Sequence, residues 1–229
     1  MPSTTTPTTA AAVADLTKPG GALDLGADAG RLITRMLRLL AQGEPLTSDR
    51  VDAAVAELGI DTGVAEQTLR AWTERDADGV IRGLGITYNP TAHQMTIDGA
   101  DMWAWCAMDT LIFTIVLGKP TAIASTSPGS DETVRLHADP DGILDATPAD
   151  AVITWPRRDS AAADMSSTTA IWGSFCHHSF FFGNRANAEE WAAGRDDIDI
   201  LSLDDGFAVA RELAGALMRY DTDRIRETP

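Results

Sequence analysis

The chain holds two cysteines, Cys106 and Cys176, and each lies inside an unusual run of residues. Cys106 stands in Trp103-Ala104-Trp105-Cys106-Ala107-Met108-Asp109, three residues ahead of a carboxylate. Cys176 stands in Trp172-Gly173-Ser174-Phe175-Cys176-His177-His178. A thiol and a carboxylate at i, i+3 share one helix face. Two thiols far apart in sequence suit linear capture of a soft, thiophilic metal, and a carboxylate beside them suits delivery of a proton. Asp109 interrupts an otherwise apolar stretch, where an unpaired charge is costly and a raised pKa leaves a carboxyl able to donate. Each cysteine also fits a small buried hydrophobe, and Asp109 an ordinary capping residue. His177 and His178 lack a C-x-x-C or H-x-E companion, which leaves a structural zinc site weakly supported. Redox chemistry through C-x-x-C and a G-x-S-x-G hydrolase are excluded by the absence of those motifs.

The elements that must position these groups follow from the pattern of apolar residues and breakers. The chain has 229 residues, 44% of them hydrophobic, with six tryptophans, enough for a substantial core. Its net charge of −16, from 34 acidic against 18 basic residues, repels nucleic acid and anionic membranes. Residues 1–26, with Pro2, Pro7, Pro19 and Gly20-Gly21, read as a disordered tail without a secretory signal, so a cytoplasmic location and reduced thiols are expected. Trp103 to Leu117 reads as one buried helix, too short to span a bilayer and broken by Asp109.

Residues 27–98 read as a winged-helix-like module. One helix carries Leu32, Ile33, Met36, Leu37, Leu39 and Leu40. A second follows Thr47-Ser48-Asp49 and ends at Gly59, and a third opens at Asp61-Thr62 and carries Val64, Leu69 and Trp72. A hairpin then joins Val80–Tyr88 to Gln94–Ile97 through Asn89-Pro90. The third helix offers only Arg70 to a phosphate backbone, so the module is expected to be structural. Residues 99–229 read as a mixed sheet-and-helix core, making the whole α+β. Its expected strands are Ala122–Ser125, Thr133–His137, Ala151–Trp155, Thr169–Phe182 (carrying Cys176) and Ile198–Leu203. Helices are expected over Ala188–Ala193, capped by Asn187, and from Asp205 to Arg219, with Asp221–Pro229 frayed.

The run Trp105-Cys106-Ala107-Met108-Asp109-Thr110-Leu111-Ile112-Phe113, joined to Ser174-Phe175-Cys176 and the Phe-rich segment after it, resembles the organomercurial (alkylmercury) lyases. The likeness extends from roughly residue 30 onward, through Gly83-Leu84-Gly85, Glu189-Glu190-Trp191 and Phe207. It implies a core of the alkylmercury lyase type and protonolysis of a carbon–mercury bond, giving a hydrocarbon and Hg(II). Carried onto this chain, Cys106 and Cys176 would be the mercury-binding thiolates. Asp109 would be the proton carrier, also within reach of the metal, and Trp105 and Phe175 would shape the substrate pocket.

No organic cofactor is implied, since mercury enters with the organomercurial substrate. Cellular thiols would take the product, with a mercuric reductase as a further partner; no nucleic acid or membrane is expected. The chain departs from members that carry a further cysteine where it has Ser125–Ser130, or a second one where it has His177, neither belonging to the catalytic set. The alternative is a mercury-responsive winged-helix transcriptional regulator, favoured by the N-terminal helices and opposed by the charge.

Overall fold

The computed structural model describes residues 8–221, so the expectations for residues 1–7 and 222–229 fall outside it. Residues 8–26 are not a disordered tail. They form helix α1 (Thr9–Thr17), which buries Ala12, Val13 and Leu16, followed by a turn segment. The Ala-rich stretch after Thr8 favours a helix, and its apolar face packs on the C-terminal helix. Ser160 fastens the segment from outside, donating from its backbone N–H to Asp15 Oδ2 at 2.9 Å and accepting from the Ala22 N–H at 3.1 Å.

The three helices that follow match expectation: α2 (Ala27–Leu40), α3 (Ser48–Leu58) and α4 (Thr62–Trp72). Helix α2 buries Leu32, Ile33, Met36, Leu37 and Leu40, and Asp61 caps α4 through the N–H groups of Gly63 and Val64. The strands after them are β1 (Glu74–Arg75), β2 (Ile81–Leu84), β3 (Ile86–Thr87), β4 (His93–Ile97), β5 (Ala100–Ala104) and β6 (Thr121–Thr126). The hairpin expected between Val80–Tyr88 and Gln94–Ile97 does not form. Gly85, at φ +75°, breaks the first arm into β2 and β3, which pair with each other, while β4 pairs with β5 and β6. Asp98-Gly99, both at positive φ, turn β4 into β5. The sheet therefore runs unbroken across the boundary expected between residues 98 and 99.

A single helix over Trp103–Leu117 is also replaced. Alternating Trp103-Ala104 completes β5, and helix α5 (Ala107–Leu117) starts only after Cys106, its N-cap. Strands β7 (Thr133–Asp139) and β8 (Gly142–Thr147) finish an eight-stranded antiparallel sheet of order β1-β2-β3-β5-β4-β6-β7-β8. The Pro140-Asp141-Gly142 cluster is the turn into β8, a strand the sequence pattern did not reveal.

A second, three-stranded sheet has β9 (Val152–Pro156) between β10 (Phe181–Phe182) and β11 (Ile198–Ser202). The long strand expected over Thr169–Phe182 is instead helix α6 (Thr168–Ser174), a single 3₁₀ turn (Cys176–His178) and short β10. Ser167 caps α6 by accepting from the Ala170 N–H, a local signal that outweighs the β-branched and aromatic composition. Helix α7 (Arg185–Ala192) is capped by Asn184 rather than Asn187, and α8 (Leu203–Leu217) by Ser202. α8 packs along α5 and α1. Asp221, expected to fray, is buried and paired with Arg38. Among the described residues, no helix is long and apolar enough to cross a membrane.

Candidate active site

The sequence placed no tether between Cys106 and Cys176; the fold supplies one. Cys106 occupies the N-cap position of α5 in extended conformation, and its side chain makes no capping hydrogen bond. Ser179 caps the helix in its place. Its carbonyl accepts from the Ala107 N–H at 3.2 Å and its hydroxyl from the Met108 N–H at 3.1 Å. The residue that serves the open N–H groups of α5 thus lies three positions after Cys176, and the first turn of α5 is stitched to the 3₁₀ turn. Ser179 was missed in the sequence, where a lone serine in a Phe-rich run carries no signal.

The stitch brings the three chemical groups together. One ligand atom each from Cys106, Asp109 and Cys176 all lie within 4.8 Å of one another, and Cys176 Sγ is 3.9 Å from Asp109 Oδ2. Both cysteines are free and buried, and Asp109 is partly buried. The two histidines stay apart from the cluster: His178 Nε2 lies 3.0 Å from the Gly173 carbonyl, and His177 packs against the Trp172 ring.

The three groups open on an apolar cavity of about 80 Å³. Trp105 and Phe175 both line it, as do Trp155, Phe113 and, from the N-terminal segment, Leu23. Phe175 stacks on Trp155 with ring centres 5.4 Å apart and planes at 18°, and Trp105 meets Trp172 edge-on at 5.7 Å. The contributions of Leu23 and Trp155 had no sequence signal, because both depend on long-range packing.

Burial sets the protonation states. It pushes Asp109 up to about 7, against the lowering effect of hydrogen bonds from both thiols. Cys106 is raised chiefly by burial, and Cys176 well above the usual thiol range by its hydrogen bond to Cys106 and then by burial. In the free protein at neutral pH the thiols therefore carry their protons and Asp109 is poised between its two forms. A soft cation entering this pocket finds two sulfurs that release protons on binding it and a carboxylate able to pass one on.

A sequence profile of the MerB alkylmercury lyase family matches residues 86–215. An alkylmercury lyase of Staphylococcus epidermidis is 32% identical over 192 residues, spanning 83% of this chain and 83% of that one. One from Bacillus cereus is 34% identical over 193 residues, 84% of each chain. The solved structure of the mercury-bound form of MerB2 covers 82% of this chain and 91% of its own, with a TM-score of 0.65 at 22% identity, and so shares the fold.

Proposed function

The chain belongs to the alkylmercury lyase family, and from that premise we propose that it cleaves organomercurials by protonolysis, with Cys106, Cys176 and Asp109 as its catalytic set. The observation that carries this reading is the meeting of two thiols and one carboxylate within 4.8 Å at an apolar cavity. One thiol binds the mercury of R–Hg⁺ as thiolate, and its proton passes to Asp109. The second thiol releases its proton to solvent as its sulfur adds to the metal, and this weakens the carbon–mercury bond. Asp109 then gives its proton to the carbon, whose bonding pair leaves mercury as the C–H pair of R–H. Hg(II) stays on the two sulfurs until cellular thiols remove it, with a mercuric reductase as a downstream acceptor. Trp105 and Phe175 hold the organic group against the metal. The reaction belongs in the cytoplasm, where these thiols remain reduced.

We also read residues 27–98 as a winged-helix-like scaffold preceding the catalytic core of 99–229. Support comes from the order α2, a Leu46–Ile81 bridge, α3, α4 and the β1–β2 pair. Ile33 and Leu37 of α2 and Trp72 of α4 line the cavity, so the scaffold forms part of the pocket wall. That use, with the acidic charge, favours catalysis over DNA-reading regulation.

The test is incubation of the purified protein with phenylmercury and excess thiol. Stoichiometric benzene is expected. Mercury retained on the thiols with no hydrocarbon released would leave a binding protein instead.

A further inference from the structure

The cavity wall next to Cys106 is Trp105, and its indole is held from outside the cavity. Trp105 Nε1–H donates to Glu74 Oε1. Glu74 Oε2 accepts in turn from the Asn89 side-chain amide and from Thr87 Oγ1, the latter at 3.3 Å. Glu74 does not line the cavity, so whatever it does there passes through the indole.

The strands explain how the carboxylate reaches Trp105. Register sets Glu74 of β1 opposite Gly83 of β2, and Gly83 opposite Thr87 of β3. A side chain at Gly83 would come within 2.8 Å of Thr87 and 2.9 Å of the Glu74 carboxylate, so this glycine leaves the gap that Glu74 crosses. The Trp105 backbone is fixed as well, its N–H donating to the Gly85 carbonyl at 2.9 Å. On its other side the indole meets Trp172 at 81°. A carboxylate is a stronger acceptor than a neutral group, and an indole N–H that lost it would stand unpaired or swing away.

The size of the cavity gives that restraint a consequence. An apolar cavity of about 150 Å³ is known to take up benzene, whereas this one measures about 80 Å³. A short alkyl group needs less of that space than an aryl group, so the position of the Trp105 wall bears on the width the cavity admits. We propose that Glu74 is a positioning residue that limits the width of the organic group by pinning Trp105 against the cavity, favouring short-chain alkylmercurials over aryl ones. The proposal rests on the lyase reading above.

The experiment compares wild type, Glu74→Ala, Glu74→Gln, Trp105→Ala and the Glu74→Ala/Trp105→Ala double variant on methyl-, phenyl- and 1-naphthylmercury. The same changes are placed in an Asp109→Asn background for equilibrium binding, which needs no turnover. Glu74→Ala should shift the preference toward the wider groups by about tenfold, carried by KM rather than kcat. Glu74→Gln, which still accepts the indole N–H, should keep the wild-type order, and the double variant should match Trp105→Ala alone. Without any substrate, the circular-dichroism exciton signal of the Trp105–Trp172 pair should vanish in Glu74→Ala and persist in Glu74→Gln. Equal losses on all three substrates, an unchanged preference, an additive double variant or an intact exciton signal in Glu74→Ala would each overturn the proposal. A wild type that releases no hydrocarbon would instead defeat the lyase reading, leaving the binding order and the exciton signal to judge Glu74.

Discussion

Cys176 Sγ stands 3.9 Å from Asp109 Oδ2 although 67 residues of chain separate the two. Ser179 caps α5 from the far side of the 3₁₀ turn, and the Cys106 side chain takes no part in the cap. A cysteine in a position that serine or aspartate ordinarily occupies gives up a local helix cap in exchange for a thiol facing the cavity.

Asp109→Asn removes the carboxyl proposed to carry the proton while keeping the shape of the side chain. The variant should bind phenylmercury with wild-type stoichiometry and release benzene at least about 100-fold more slowly, as loss of a general acid requires. Headspace gas chromatography measures the release, and normal turnover would place the proton source elsewhere.

Proton release on mercury binding reports the thiols. Both are raised above the usual range, so both are protonated in the free protein at pH 8, where Asp109, at about 7, is mostly ionised. Hg(II) binding should therefore expel one proton from each sulfur, read with an indicator dye in weak buffer. Cys106→Ser or Cys176→Ser should each lower the yield by one proton and abolish turnover.

Ser179→Ala deletes the hydroxyl that accepts from Met108 and keeps the backbone carbonyl that accepts from Ala107. Chemical denaturation should show a loss of about 1 kcal/mol, typical of a helix cap. The rate of hydrocarbon release should fall with it, since the stitch between the two cysteine-bearing turns is loosened. Full activity at reduced stability would show that the site holds its geometry without the hydroxyl.

His93 makes the protein sensitive to acid. Its ring is 2% exposed, its Nδ1 lies 2.7 Å from Ser125 Oγ, and burial lowers its pKa from 6.5 to about 4. Between those values the unfolded chain takes up a proton that the folded one refuses. Stability should thus be complete above pH 6.5 and fall by about 1.4 kcal/mol per pH unit on the way down to 4. Asp109 acts in the opposite sense, its raised pKa favouring the folded state as pH falls below 7. His93→Gln compared with wild type in urea at several pH values isolates the histidine: the variant should lose its part of the slope.

Leu16 tests the N-terminal helix. The side chain is fully buried in the face that α1 presents to α8. Leu16→Ala should cost about 2–4 kcal/mol in thermal or urea unfolding. A disordered tail would tolerate the change without effect.

Much of this protein was legible along the chain because its signals are local. The W-C-A-x-D-T-L-I-F run marks the family, helical periodicity and caps mark α2, α3 and α4, and a carboxylate three residues after a thiol marks the candidate site. Alternation and β-rich composition were less trustworthy. β-rich composition suggested one strand over Thr169–Phe182, where Ser167 instead caps a helix, and the continuous apolar run suggested one helix over Trp103–Leu117, whose first residues pair as β5. The pairing of β4 with β5 and β6 was hidden for the same reason, since register depends on turns and on partners distant in sequence.

What the tertiary structure alone decided is how the reactive groups are held. Ser179 joins two turns that the sequence keeps far apart, Leu23 lines the cavity from an end of the chain that composition marks as loose, and Glu74 reaches Trp105 across a glycine. Residue types carry the chemistry of two thiols and an acid. Bringing those groups within 4.8 Å, and burying them so that Asp109 rises to about 7, requires contacts between segments whose spacing no local pattern encodes.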